Sequence, residues 1–337
     1  MRKLGFAFAL ATAILMSAAL AQSGPYKILK TVKVGGAGFY DYVYADVGAR
    51  RLYIPRMAET GARITVYNLD TLAPAGEIPE TSAHGVAVDP KTHHAFASSK
   101  PVAMWDTRTL KTIKTIPVDG RPDGILFEPF TERVYVFSHQ PPNVTVIDAK
   151  DGVVAGTIDL GGAPEEAASD HHGRVYVDLE NKDKIAVVDA KTLKVITDYD
   201  LAGKGGGPGG LALDRKNHIL FAACHEPANM VILNAEDGKI IATLPIGHGV
   251  DGAAFNPNTM EALSTQGDGT LTVIKENSPT SFAVEQTLQT KRGARTITVD
   301  PKTNRIFTVT ADFTPPPPGQ RRGHMVPDSF SIIEIGR

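Results

Sequence analysis

The chain has little of what marks a disulfide scaffold, a haem carrier or a nucleic-acid binder. Among its 337 residues there is one cysteine, Cys224, and one tryptophan, Trp105. A lone cysteine cannot form an intramolecular disulfide even in an oxidising compartment, and without a C-x-x-C-H run no c-type haem is attached. Cys224 therefore reads as a small buried hydrophobe at the end of a strand. The 35 Lys and Arg nearly balance the 37 Asp and Glu, so the basic excess of a nucleic-acid binder is missing. Familiar catalytic signatures are absent too: there is no G-x-S-x-G elbow, no H-E-x-x-H and no G-x-x-x-x-G-K. The glycine run from Gly205 to Gly210 lies between strands, with no helix N-terminus to receive a phosphate, so it reads as a connector.

Long apolar runs are also lacking, with one exception at the start. Arg2 and Lys3 precede an uncharged stretch from Leu4 to Leu20, and Ala19-Leu20-Ala21 is a small-x-small cleavage site. This is the pattern of a secretory signal peptide rather than a membrane span. Residues 1–21 are therefore expected to be removed, leaving one domain over residues 22–337 that is periplasmic or extracellular. Taking Arg2 and Lys3 from the 35 basic residues leaves 33 against 37 acidic ones, a net charge of −4. No later stretch reaches the roughly 18 apolar residues of a transmembrane helix, so no membrane span is expected after cleavage.

What the sequence does have is an internal echo. Val86-Ala87-Val88-Asp89-Pro90-Lys91-Thr92 returns as Ile297-Thr298-Val299-Asp300-Pro301-Lys302-Thr303. An acidic or Asn residue closes the first apolar run of each of seven units, at Asp46, Asp89, Glu128, Asp170, Asp214, Asn256 and Asp300. Their spacings are 43, 39, 42, 44, 42 and 44 residues, and a period of about 40 marks a solenoid, propeller or array. A second series, Asn68, Asp106, Asp148, Asp189, Asn234, Lys275 and Glu334, keeps step until a last, stretched interval of 59. Asp and Asn accept hydrogen bonds from backbone N–H groups two residues on, which places both series at tight turns.

Each unit reads as four short strands. In one of them Gly124–Phe127 is a first strand, Glu128–Glu132 a turn, Arg133–Phe137 a second strand, Val144–Ile147 a third and Val153–Leu160 a fourth. β-Branched and aromatic enrichment without a helical period is what a propeller blade requires. The last unit offers only three strands, near Thr296–Val299, Arg305–Val309 and Ser329–Ile335. Tyr26–Gly35 copies the fourth strands of other units. The N-terminal strand is thus expected to close the last blade, removing free sheet edges.

The Asp-Pro-x-Thr turns, the strands Arg133-Val134-Tyr135-Val136 and Arg174-Val175-Tyr176-Val177, and the Val-x-Val-x-Asp segments resemble the YVTN-type β-propeller repeat proteins, the YncE-like periplasmic group. The resemblance covers about residues 26–337, although the literal tetrapeptide is absent and Tyr176-Val177-Asp178 comes nearest. It implies an all-β, seven-bladed secreted propeller and carries over no catalytic residues. A WD40 assignment has less support, because Trp105-Asp106 occurs once, where other units have Ile147-Asp148 or Val188-Asp189.

Function is expected where the repeat is broken. Five residues before each first anchor stand Asp41, His84, Asp123, Glu165, Gly209, Asp251 and Arg295, positions that would ring the mouth of the central channel. Converging carboxylates and an imidazole suit a hard divalent cation such as Ca²⁺ or Mg²⁺, with Zn²⁺ less suited. Crowded carboxylates also raise one another's pKa, and the Arg295 fork could orient a carboxylate or hydroxylated ligand.

Connections between second and third strands should share that face. They supply Arg56 and Met57, His139, the stretch from Asp178 to Asn181, and His225, with His139 and His225 as further ligand-binding candidates. The insertion from Thr310 to Asp328 contains Pro315-Pro316-Pro317-Pro318 and a short basic patch between Gly319 and Gly323. It reads as an extended surface loop, a flap or a docking segment.

The sequence thus points to a monomeric binding or scaffold protein for an unidentified small molecule, peptide or protein. The alternative is a metal-dependent lactonase or lyase, in which Asp123, Glu165 and Asp251 would hold the metal, His84 would act as acid or base and Arg295 would hold substrate. A redox quinoprotein is disfavoured by the scarcity of Trp.

Overall fold

The computed structural model describes residues 24–317, 319 and 323–337. Their strands form seven four-stranded antiparallel sheets, six of them in simple chain order from the innermost strand outward. We number them as blades 1 to 7, beginning at residues 44, 83, 122, 164, 208, 250 and 298. Blade 3 consists of Pro122–Glu128, Arg133–Ser138, Val144–Asp148 and Val154–Ile158, within a few residues of the strands expected from the repeat.

The burial pattern explains why the second strands are nearly continuous apolar runs. Ile219–Cys224 is buried at every position, whereas the outermost strand Val154–Ile158 is mostly exposed. A strand covered on both faces by neighbouring blades has no polar side to alternate with. Buried side chains form seven clusters, one at each blade-to-blade interface. One of them packs Phe307 and Ile332 of blade 7 against Leu52 and Ile54 of blade 1, so the ring is closed.

Closure also uses the chain ends. Blade 7 takes Lys27–Lys33 as its outermost strand, paired antiparallel with Ser331–Gly336. Tyr26 is buried, its hydroxyl donates to the carboxylate of Glu261 on blade 6, and the Arg337 guanidinium lies over its ring, 5.1 Å from the centroid.

The repeated acids hold the turns. Asp89, Glu128, Asp170, Asp214, Asn256 and Asp300 each accept from the backbone N–H two residues on, at 2.7 to 3.1 Å. Asp46 accepts from Ala49 N instead, three residues on. Asp106 does the same turn work, accepting from Arg108 N and Thr109 N, while Trp105 is buried against Tyr53.

Several expectations need adjusting. Arg56 and Asp178 lie inside strands, fully buried, rather than on open connections. The insertion is an ordered arm where it is described: Phe313 bridges Met325, Thr314 N donates to His324 O, and Phe313 and Met325 pack on the cluster around Phe330. The exposed Pro315 and Pro316 follow that bridge. The expected signal peptide and Arg321 and Arg322 of the basic patch lie outside the described residues. Among the described residues the sole helix is the 3-10 turn Glu180–Lys182, and no helix is long and apolar enough to cross a membrane.

Candidate functional site

The residues that break the repeat meet at one mouth of the channel because the innermost strands are bulged there. Pairing with the second strand slips between Ala83 and Val86, Pro122 and Ile125, Pro164 and Ala167, Pro208 and Gly210, and Val250 and Ala253. Each slip holds one ring residue. A bulge bends its strand and re-aims a side chain, here toward the ring axis. In blades 1 and 7 the ring residues Asp41 and Arg295 lie just before the first strand.

The bulge amides are satisfied by side chains from the second strands. Ser98 Oγ accepts from Gly85 N at 2.8 Å, and Asp178 Oδ1 accepts from Glu166 N at 2.6 Å and Glu165 N at 3.2 Å. Burial, then the charges of Glu166 and Glu165, push Asp178 well above the usual carboxylate range. Close approach dictates glycine one position past the ring: a Cβ on Gly124 would stand 2.3 Å from Glu165 O. Gly85, Gly210 and Gly252 occupy the same position in their units.

The ring side chains form one polar chain. Arg295 Nε stands 3.0 Å from Asp251 Oδ2, and Arg295 Nη2 3.5 Å from Asp41 Oδ1. Asp41 Oδ2 lies 2.8 Å from His84 Nδ1, which is also 3.2 Å from Asp123 Oδ1. Asp123 Oδ2 is 3.5 Å from His139 Nε2, and that nitrogen is 3.1 Å from Glu165 Oε1. Burial pulls the His84 imidazole down, but hydrogen bonding to Asp123 and Asp41 outweighs it and pushes the pKa up to about 10. His139 is raised chiefly by Glu165, against its own burial. Asp251 is driven up by burial, with Arg295 opposing.

Seven of the sequence candidates thus form one chain, in which His139 links Glu165 to Asp123. Asp251 contacts Arg295, and the clustered ligand sets about Asp123 draw on Asp41, His84, His139 and Glu165 rather than on the Asp251 with which Asp123 and Glu165 were expected to share a metal. His225 fills the gap that Gly209 leaves, since a Cβ on Gly209 would fall 2.9 Å from His225 Nε2. Beside it an open acidic groove of about 500 Å³ is lined by Glu180, Asp183, His225 and Glu226.

Two residues at the mouth escaped sequence reasoning. Tyr42 reaches from blade 1 to blade 4, donating to Glu165 Oε2 at 3.1 Å and to Glu165 O at 3.3 Å. Burial and the Glu165 charge raise its hydroxyl pKa. Glu166 reaches from blade 4 across blade 5 to blade 6, accepting from Leu211 N at 2.8 Å and Ala253 N at 3.0 Å. Burial pushes its carboxyl up to about 8, with those two donors opposing. The signal was available: one position past the ring the units read Tyr42, Gly85, Gly124, Glu166, Gly210, Gly252 and Thr296, so Tyr42 and Glu166 stand where glycine is the rule. Beyond Tyr42 the channel holds a cavity of about 350 Å³ with apolar walls from Val86, Ile125, Leu126, Phe255 and Ile297.

Comparison with solved structures shows the fold alone. A structure titled "Crystal structure of RRP9 WD40 repeats" superposes with a TM-score of 0.73 at 11% identity, covering 93% of this chain and 99% of that one. "Structure of U3-55K" matches with a TM-score of 0.72 at 11% identity, covering 92% and 98%. No family model matches the sequence. "Uncharacterized protein YncE" of Escherichia coli O157:H7 is 29% identical over 153 residues, 42% of this chain and 42% of that protein, so under half of either is aligned. This similarity and the closed seven-bladed ring together support placing the chain with the YncE-like propellers.

Proposed function

We propose that the chain is an exported, monomeric binding protein whose ligand site is the channel mouth and the adjoining acidic groove, and that the ligand presents a small cationic group. One observation carries this reading: the carboxylates of Asp41, Asp123, Glu165 and Asp251 converge on one mouth, where among the described ring residues they outnumber the basic groups Arg295, His84 and His139. Glu180, Asp183 and Glu226 extend the negative character outward. Clefts lined by one sign of charge between low-dielectric walls concentrate the opposite ion. Tyr42 spans the mouth to Glu165, and the polar side chains gathered there form a cup.

The test is thermal unfolding and calorimetric titration with spermidine, using citrate as the anionic control. Spermidine is expected to raise the midpoint by about 2 °C or more at saturating concentration, and citrate to leave it unchanged. The double variant Asp123→Asn/Glu165→Gln should lose the response. No response to spermidine, or an equal response in that variant, overturns the reading. Export is checked separately by the mass of the periplasmic protein, which should begin at Gln22.

A further inference from the structure

We propose that the cup holds divalent transition-metal ions in two adjacent sites, one formed by Asp123, His139 and Glu165 and the other by Asp41, His84 and Asp123, with Asp123 shared. The inference rests on the reading of the mouth as a cation site and names the cation. Each set offers one imidazole nitrogen and two carboxylate oxygens, with the ligand atoms of a set all within 4.8 Å of one another.

The spacing is that of a coordination shell. Metal–nitrogen and metal–carboxylate bonds of about 2.0–2.2 Å put neighbouring ligand atoms about 3.0–3.5 Å apart in octahedral or tetrahedral geometry. The edges of 3.1 and 3.5 Å about His139 and of 3.2 Å between His84 and Asp123 lie in that range, while the 2.8 Å hydrogen bond between His84 and Asp41 would have to open slightly around an ion.

A second observation concerns His139 itself. Its Nε2 is shut off from solvent and has no hydrogen-bond partner in line, despite two carboxylates nearby. A nitrogen aimed between two carboxylates, and aligned with neither, can take up a metal ion in exchange for its proton. The frame is also stiff, because Asp178 and Ser98 pin the bulges that carry Glu165 and His84. An imidazole in each set favours Mn²⁺, Fe²⁺, Co²⁺ or Zn²⁺ over Ca²⁺ and Mg²⁺, which prefer all-oxygen shells.

The experiment titrates the chelator-stripped full chain with Zn²⁺, Co²⁺, Mn²⁺, Ca²⁺ and Mg²⁺ by calorimetry, with Co²⁺ absorption reporting coordination. Co²⁺ and Zn²⁺ are expected to bind at two equivalents, at least tenfold tighter than Ca²⁺ or Mg²⁺. His139→Gln should lose one equivalent and His84→Gln the other, while Asp123→Asn weakens both by tenfold or more. If His139→Gln fails to fold, Glu165→Gln tests the same set. Transition ions that bind no tighter than Mg²⁺, or that bind the variants as they bind the parent, overturn the proposal. If spermidine still binds in that event, only the metal assignment falls; if neither spermidine nor metal binds, the cation site falls with it.

Discussion

Tyr42 and Glu165 meet across the channel mouth, hydroxyl to carboxylate at 3.1 Å, although they come from blades 1 and 4 on opposite sides of the ring. The pair also lines the cavity of about 350 Å³ inside the channel. Tyr42→Phe should cost about 1 kcal/mol, the net worth of one hydrogen bond. Tyr42→Ala should cost about 3 kcal/mol and enlarge that cavity. Urea unfolding measures both, and binding of a hydrophobic dye by the Ala variant alone would report the enlarged cavity.

Gly124 and Gly85 occupy equivalent positions with unequal room. A Cβ on Gly124 would stand 2.3 Å from Glu165 O, a backbone atom, whereas on Gly85 the nearest atom is Ile125 Cγ2 at 3.1 Å. Gly124→Ala must therefore displace the bulge carrying Glu165, at about 2–3 kcal/mol, and Gly85→Ala should be the milder change. Equal denaturation midpoints for the two variants would contradict this packing account.

Arg50 bridges blades 1 and 7 through Asp300, with Nη2 2.7 Å from Oδ2 of a side chain that is 0% exposed. Burial raises the Asp300 carboxyl, but hydrogen bonds from Arg50 and Thr303 outweigh it and hold the pKa below its ordinary value. A carboxyl depressed in the folded state contributes stability above its unfolded value of about 3.9, and that contribution is lost as pH falls through the folded value. Arg50→Met leaves a buried charge unpaired and should cost about 3–5 kcal/mol at neutral pH. Its stability should also decline less steeply below pH 4 than the parent's, as urea midpoints across that range would show.

Ring closure depends on the N-terminal strand. Deleting residues 24–33 removes the partner of Ser331–Gly336 and bares a sheet edge, which invites edge-to-edge association. The truncated chain should run as oligomers in size-exclusion chromatography. Tyr26→Phe removes only the hydroxyl that Glu261 accepts and should stay monomeric at a cost of about 1 kcal/mol.

Cys224 is the fully buried last residue of its strand, and burial pushes its thiol up to about 12. A thiol shielded from solvent and held protonated is unreactive. Ellman's reagent should report no free thiol in the native protein and one after unfolding.

The strand order, the seven-fold count, the turn acids and the closing N-terminal strand were all decided by local residue pattern, because each blade repeats the same turn chemistry and apolar runs. The ring positions Asp41, His84, Asp123, Glu165, Asp251 and Arg295 were legible for the same reason, as departures from a period. Which of them touch was a different matter. Contacts between His84 and Asp41, or between Tyr42 and Glu165, join residues 43 and 123 positions apart, and only the curvature of the closed ring sets those distances. The bulges decided it further, since a slip in pairing turns a side chain toward the axis without changing any residue. His139 and Asp178 show the limit of reading by position: one leaned into the ring from its connection and the other sank into a strand, because tertiary packing assigns burial where local sequence assigns only a turn.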